Sequence, residues 1–410
     1  IDKGSDKMIK RDTYINKIRP FIGNELIKVI TGIRRSGKSV MLELIKDELR
    51  SQGVPDSQFI TFNFESMANA AYCTANALYD ELTVRISSIQ GKSYLFFDEI
   101  QEVEDWERCI NSARVDFDCD IYITGSNAKL LSGELATHLG GRYVEFVIYP
   151  FSFKEYLEYR MPKKESQQIS DEFKTYLDTG GMPFLANLND HTSSIQYLRD
   201  LYNSIILKDV VKRNNIRDVD LLERIITYVL ANIGHTFSAR SISNYFKSEN
   251  RKAAPETIMN YIKACCDAYL FYKISREDLP SKKMLSINEK FYIVDQGIRE
   301  AVYGGNTQGI DQTLENIVCM ELIRRGYDVT IGKIGEKEID FVAKKENRKL
   351  YIQVAYLLSS EDTIDREFGI YSSVRDNYPK YVLSLDDFDM SRDGIKHMNI
   401  RDFLLADEWN

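Results

Sequence analysis

The chain has 410 residues, 43% of them apolar, with 62 acidic and 54 basic side chains and a formal net charge of −8. That length suits about two to four domains with real cores, and the acidic balance argues against a uniformly basic nucleic-acid binder while allowing one basic module. Six scattered cysteines without a CxxC pair and only four histidines argue against a disulfide framework or a zinc site, and with no apolar run of membrane-spanning length and no visible signal peptide the expected location is cytoplasmic.

Residues 1–7 read as a vector-derived leader, because Met8-Ile9-Lys10 looks like a natural start. Leu26–Ile30 is apolar enough for a buried strand, and Val40–Leu49 has helical periodicity. Between them, Gly32-Ile33-Arg34-Arg35-Ser36-Gly37-Lys38-Ser39 fits the phosphate-binding pattern G-x-x-x-x-G-K-[ST] at every fixed position. Glycines allow the tight turn, backbone N–H groups surround phosphate oxygens, and the positive end of the following helix adds attraction. In this reading Gly32 to Val40 cradle a nucleoside triphosphate, Lys38 reaches the β- and γ-phosphates, and Ser39 holds Mg²⁺. Arg34 and Arg35 occupy variable positions and are expected to point outward.

The run Ser93-Tyr94-Leu95-Phe96-Phe97 reads as a fully buried parallel strand ending in Asp98 and Glu99. Asp98 would support Mg²⁺ through water and Glu99 would polarise the attacking water. Taken alone, the same acids suit a helix cap. A further strand, Asp120–Gly125, ends in Ser126-Asn127, which could contact the γ-phosphate or orient water. Both residue types also favour turns and caps. The full strand set, Ile27–Thr31, Phe59–Asn63, Tyr94–Asp98, Ile121–Thr124 and Tyr143–Val147, with helices between, predicts an α/β fold with a doubly wound parallel sheet over residues 8–150. The nucleotide belongs at the carboxyl ends of such strands.

Residues 151–215 read as a helical lid or linker interrupted by Gly180-Gly181-Met182-Pro183, which suits a helix stop or a hinge. Residues 216–300 look like a winged helix. Its helices are Leu221–Ile233, one beginning near Ser238 and one opening at Pro255, and its wing strands are Phe271–Ile274 and Phe291–Val294. Arg251, Lys252, Lys263, Lys282 and Lys283 could contact the phosphates of double-stranded DNA, although winged helices also dock proteins. The last segment, 301–410, holds a helix at Thr313–Arg325 and paired strands at Glu338–Val342 and Lys349–Tyr356.

The phosphate loop, YLFFDE, ITGSN, Gly141-Arg142, YPFSFKEY and GGMP occur in this order, and together they resemble the prokaryotic AAA-type ATPases of AAA family 14. Ile205–Tyr356, with LEN at Leu314–Asn316 and EIDFV, is similar to their partner segment, the domain of unknown function 4143. The resemblance implies an AAA+ P-loop core, a winged helix and a nuclease-like PD-(D/E)XK C-terminal fold, and it favours ATP over GTP. It also implies a catalytic arginine at Arg142, supplied within the subunit or by a neighbour in a homo-oligomer. A surface arginine beside a glycine turn is the simpler reading. The nuclease pattern is incomplete: Glu315 and Asp340 can stand for acids, but Gln353 replaces the second strand acid and Ala355 the lysine. A degenerate nuclease fold used for binding is therefore expected. The leading functional expectation is a Mg²⁺-dependent ATPase coupling nucleotide state to a C-terminal DNA- or protein-binding module. The alternatives are a slow nucleotide switch acting through protein partners and a nucleotide-regulated nuclease.

Overall fold

Burial decides which of the expected strands lie at the centre of the first sheet. The computed structural model describes residues 9–128, 140–161, 166–188, 190–249 and 251–409, so the reading of residues 1–7 lies outside it. Five strands, β1 (Ile27–Thr31), β2 (Phe59–Asn63), β3 (Ser93–Asp98), β4 (Cys119–Thr124) and β5 (Tyr143–Val147), form one sheet in the order β2-β3-β4-β1-β5. Every pairing is parallel. β1 and β4 are buried throughout, which is why they read as near-continuous apolar runs, whereas the edge strands β2 and β5 open to solvent at intervals.

Helices α1 (Asp12–Ile18), α2 (Lys38–Ser51), α3 (Ala75–Ser87) and α4 (Trp106–Asp116) belong to this unit. Met41, Leu42, Ile45 and Leu49 recur at helical spacing and form the buried face of α2. Phe62, Leu95, Phe97 and Ile123 of the sheet pack with Leu78 and Leu82 of α3 and Trp106 and Ile110 of α4 in one core. Each such large side chain contributes about 1.5–3 kcal/mol on burial.

A pair of opposite charges lies inside this sheet. Lys28 on β1 and Asp120 on β4 are both fully buried and form an ion pair. Lys28 also donates to the Leu26 carbonyl at 2.8 Å, and Asp120 accepts from the Gly23 N–H and the Tyr122 hydroxyl, each at 2.8 Å. Burial pulls the Lys28 ammonium below its ordinary range against the opposing pull of Asp120.

The chain divides into two compact units, Ile1–Pro150 with Asp267–Tyr269, and Phe151–Cys266 with Leu270–Asn410. Apart from Asp267–Tyr269, the sequence segments 151–215, 216–300 and 301–410 together make up the second. It opens with α5 (Phe153–Arg160), whose start is closed by a reciprocal capping box between Ser152 and Glu155. α6 (Ser166–Thr179) stops at Gly180, where φ is +76° and an added Cβ would lie 2.0 Å from Asp295 Oδ1. The Asp295 carboxylate accepts the Gly181 N–H at 2.7 Å and the Gly297 N–H at 2.9 Å. These bonds lock the turn as a helix stop.

α7 (His191–Ser204) is followed by the three helices expected of a winged helix: α8 (Val219–Ala231), α9 (Ala239–Ser248) and α10 (Pro255–Asp267). The first expected wing strand lies within, and the second overlaps the end of, a longer antiparallel hairpin, β6 (Phe271–Asp278) and β7 (Lys283–Ile293). This hairpin is not a separate wing sheet. β6 pairs in parallel with β8 (Asp328–Ile334), and the sheet continues through β9 (Lys337–Lys345), β10 (Arg348–Val354), β11 (Lys380–Ser384) and β12 (Lys396–Asn399) in the order β12-β11-β10-β9-β8-β6-β7. A hairpin long enough to expose an unpaired edge is satisfied by the neighbouring strand, so a division at residue 300 cuts through one sheet. Between β7 and β8 run α11 (Gln296–Val302) and α12 (Ile310–Arg324).

Removing one member of the buried pair in the first sheet should be costly. Asp120→Ala is expected to lower unfolding free energy in urea by about 3–5 kcal/mol, because the Lys28 ammonium is left buried without its counter-charge. The double change Lys28→Met with Asp120→Leu should recover most of that loss.

Candidate functional site

The turn after β1 is sharp because Gly32 and Gly37, at its two ends, lack side chains. Gly32 has φ +135°, and an added Cβ would sit 2.2 Å from the Ile148 carbonyl oxygen. Gly37 has φ +99° and caps α2, whose first residue is Lys38. The N–H groups at the start of α2 therefore face the loop they follow. Ile33 and Ser36 are buried, and the Ser36 hydroxyl has no hydrogen-bond partner among the described residues. Lys38 is buried too, and its ammonium donates to the Gly32 and Ile33 carbonyls at 3.2 Å each. Ser39 and Val40 are exposed at the mouth of the loop. Arg35 is exposed, with φ 67°. Arg34 departs from the outward expectation: its guanidinium donates to Glu65 at 3.1 Å, and its side chain is only 13% exposed.

The strand order brings the ends of β3 and β4 beside this loop. Asp98 Oδ1 accepts from the Thr124 hydroxyl at 2.6 Å, and Oδ2 accepts from the Asn63 amide at 3.2 Å. The Thr124 hydroxyl in turn accepts the Glu99 N–H at 2.9 Å. One hydroxyl thus fixes both acids. Glu99 has left-handed backbone, φ 54°, a conformation that costs a non-glycine residue about 1–3 kcal/mol and gathers at functional sites. Its carboxylate lies 3.8 Å from the Lys38 ammonium and accepts from the Gln101 amide. Ser126 and Asn127 are fully buried just beyond β4.

Arg142 lies at the other end of the sheet. It is exposed, its carbonyl accepts the Ile27 N–H at 3.0 Å, and the next residue, Tyr143, pairs with Ile27 at the start of β1. The loop follows Thr31, opposite Val147, so about 15 Å of strand separates Arg142 from it. The same-subunit role expected of Arg142 is therefore corrected, and its exposure beside the Gly140-Gly141 turn fits the simpler reading of a surface arginine.

Arg251 is corrected as a free phosphate contact. It forms ion pairs with Asp218 and Asp220, so its charge is spent within the unit, while Lys252, Lys263, Lys282 and Lys283 remain exposed.

In the second unit, Glu315, Asp340, Gln353 and Ala355 do come together. They line a cavity of about 500 Å³ with Asp311 and Glu367. Asp340 accepts the Val354 N–H at 2.8 Å, and its own N–H donates to Gln353 Oε1 at 3.2 Å. Burial and the charge of Glu315 hold the Asp340 carboxyl well above the usual carboxylate range. An ammonium comes from β7, the strand whose end reads in the sequence as part of a wing. Lys290 on β7 lies 3.3 Å from Glu315 and 2.7 Å from Glu338. Burial lowers its pKa, but the charges of Glu315, Asp340 and Glu338 outweigh that and keep it above the ordinary lysine range. Among the described residues no group of three or more His, Cys, Asp or Glu side chains is arranged to hold a metal ion.

Sequence reasoning missed Arg11, Asn63, Gln101, Thr124 and Lys290. Thr124 alone carried a signal, since it lies inside the ITGSN stretch at a strand tip.

Residues 24–157 match the AAA domain of AAA family 14, and residues 170–309 match a domain of unknown function, DUF8612. The second match overlaps only residues 205–309 of the segment, Ile205–Tyr356, that resembles the domain of unknown function 4143. An uncharacterized protein of Haemophilus influenzae is 38% identical over 402 residues, covering 98% of this chain and all of that protein. The uncharacterized protein MJ1544 of Methanocaldococcus jannaschii is 33% identical, covering 89% of this chain and 81% of its own. Among solved structures, the Aeropyrum pernix ORC1 protein in complex with DNA aligns with 72% of this chain and 93% of its own at 12% identity and a TM-score of 0.32. The assignment of a mixed α/β P-loop fold therefore stands on the parallel sheet, the loop after β1 and the AAA domain match.

Thr124→Val keeps the shape but removes the hydroxyl. It should cost about 1–3 kcal/mol in urea unfolding, because the buried Glu99 N–H loses its acceptor and Asp98 a donor. Thr124→Ser should retain most of the stability.

Proposed function

This chain belongs to one family with the Haemophilus influenzae and Methanocaldococcus jannaschii proteins and carries an AAA domain, and on that premise we propose that it binds ATP and hydrolyses it with Mg²⁺. The observation that carries the reading is the Lys38 ammonium, held at the phosphate loop within 3.8 Å of the Glu99 carboxylate. The cradle suits a triphosphate: an added Cβ at Gly32 would strike the Ile148 carbonyl, and the buried Ser36 hydroxyl has no partner among the described residues. The donor set also suits Mg²⁺, which needs only one or two protein oxygens when phosphates and water supply the rest.

Bound Mg²⁺ would neutralise charge on the phosphate oxygens. Ser39 and Asp98 would hold it, Asp98 being oriented by Thr124 and Asn63. Lys38 would exchange its two carbonyl partners for the β- and γ-phosphates. Glu99, freed from Lys38 by that exchange and steadied by Gln101, would orient the attacking water. Ser126 or Asn127 would sense the γ-phosphate from the tip of β4, and Arg142 would act on a neighbouring subunit.

We further propose that nucleotide state is coupled to a DNA- or protein-binding role of the second unit. Exposed Lys252 and Lys263 support phosphate contact. The pairing of Lys290 with Glu315 and Glu338, together with Ala355 in the lysine position, supports binding over cleavage at the acidic cavity.

Lys38→Ala should abolish ATP binding by calorimetry. Glu99→Gln should bind ATP yet release phosphate at least about a hundredfold more slowly, as expected on loss of a residue that assists proton transfer or orients water. Equal phosphate release by wild type and both variants would sink the assignment. Duplex DNA should stimulate phosphate release at 50 mM salt and lose much of that effect at 200 mM if lysine–phosphate contacts carry the interaction. No stimulation at either salt would favour a protein partner.

A further inference from the structure

The Arg11 guanidinium lies behind the phosphate loop. Arg11 is 4% exposed, precedes α1, and has left-handed backbone with φ 48°. Its Nη1 donates to the Ser36 carbonyl at 3.0 Å, inside the phosphate loop. Its Nη2 donates to the Tyr149 carbonyl at 2.8 Å, just past β5. The guanidinium lies over the Tyr14 ring at 4.6 Å, and the Tyr14 hydroxyl accepts the Tyr149 N–H at 3.2 Å. The same stretch closes on the loop from a second point. The Ile148 N–H donates to the Thr31 carbonyl at 2.8 Å, and the Ile148 carbonyl fills the space where Gly32 would carry a Cβ.

We infer that Arg11 is a positioning residue that ties the phosphate loop to Ile148–Tyr149, so that phosphate binding is felt at the point where the chain leaves the first unit. The inference rests on the nucleotide-binding reading of the loop. A planar guanidinium can donate to two carbonyls at once, which an ammonium on a flexible stem cannot do with the same geometry. A buried charge is tolerated only when its donors are used, so the two carbonyls are held at a fixed separation. When the loop closes on phosphate, the Ser36 carbonyl can shift only with Arg11, and Arg11 shifts with Tyr149. Pro150 follows directly, and the second unit begins at Phe151. The positive charge next to the loop also favours an anion there.

Amide hydrogen exchange of the full chain, with and without saturating MgATP, tests this. In the wild type, ATP should protect both the phosphate loop, residues 31–41, and the exit segment, residues 145–152. In Arg11→Ala, ATP should still protect the loop but no longer the exit segment, and ATP affinity should fall roughly tenfold to a hundredfold. Arg11→Lys keeps the charge without the fork and should also lose exit protection, so it serves as the test if Arg11→Ala does not fold. Wild-type exit protection in a folded variant overturns the role of Arg11. ATP protection of the loop without the exit segment in the wild type overturns the coupling alone. No protection of the loop in the wild type overturns the nucleotide reading and this inference with it.

Discussion

Close approach between the turn after β1 and the end of β5 constrains the first unit. β1 is held between β4 and β5 in a wholly parallel sheet, so its next residue must turn in a space already bounded by the Ile148 carbonyl, and only glycine fits at position 32. From that turn follow the start of α2 at Lys38 and the convergence of N–H groups on one concavity. At the opposite end of the sheet the buried Lys28–Asp120 pair joins the same two central strands. A charge pair is a poor source of net stability, but here it is satisfied by surrounding carbonyl, N–H and hydroxyl groups. It ties β1 to β4 in a single register, and that register brings Thr31 and Thr124 to the same edge.

Around that edge, polar groups are connected in series. Thr124 bonds Asp98 and the Glu99 amide, Asn63 bonds Asp98, and Gln101 and Lys38 meet the Glu99 carboxylate. The two acids follow one another in sequence yet face different partners, which suits the separate metal-supporting and water-orienting roles proposed for them. The strained backbone of Glu99 is the cost of turning consecutive carboxylates in different directions.

Several cations that look available in the sequence are committed internally. Arg34 meets Glu65, Arg251 meets Asp218 and Asp220, and Lys290 meets Glu315 and Glu338. In a chain with net negative charge, a count of basic residues therefore overstates the positive surface left for a polyanion. Lys290 also reaches Glu315, one of the carboxylates that line the acidic cavity of the second unit. It arrives from the hairpin that reads as a wing, and its presence there follows from that hairpin joining the C-terminal strands in one sheet.

The amino-acid sequence by itself determined the five strands of the first sheet, the phosphate loop, the two acids after β3 and the three helices between residues 219 and 267. Each is set by contiguous residues: an apolar run, a glycine spacing or a capped helical period carries its own instruction. Tertiary structure alone decided which distant groups complete these pieces. Arg11 reaches a loop 25 positions away and a strand end 138 positions away, Thr124 meets acids on a neighbouring strand, and Lys290 joins carboxylates from α12 and β9. It also decided that Arg142, next to an informative glycine pair, stands at the wrong end of β5 for its own loop. Such pairings depend on strand order and register, which are collective outcomes of packing the core, and no local pattern encodes them.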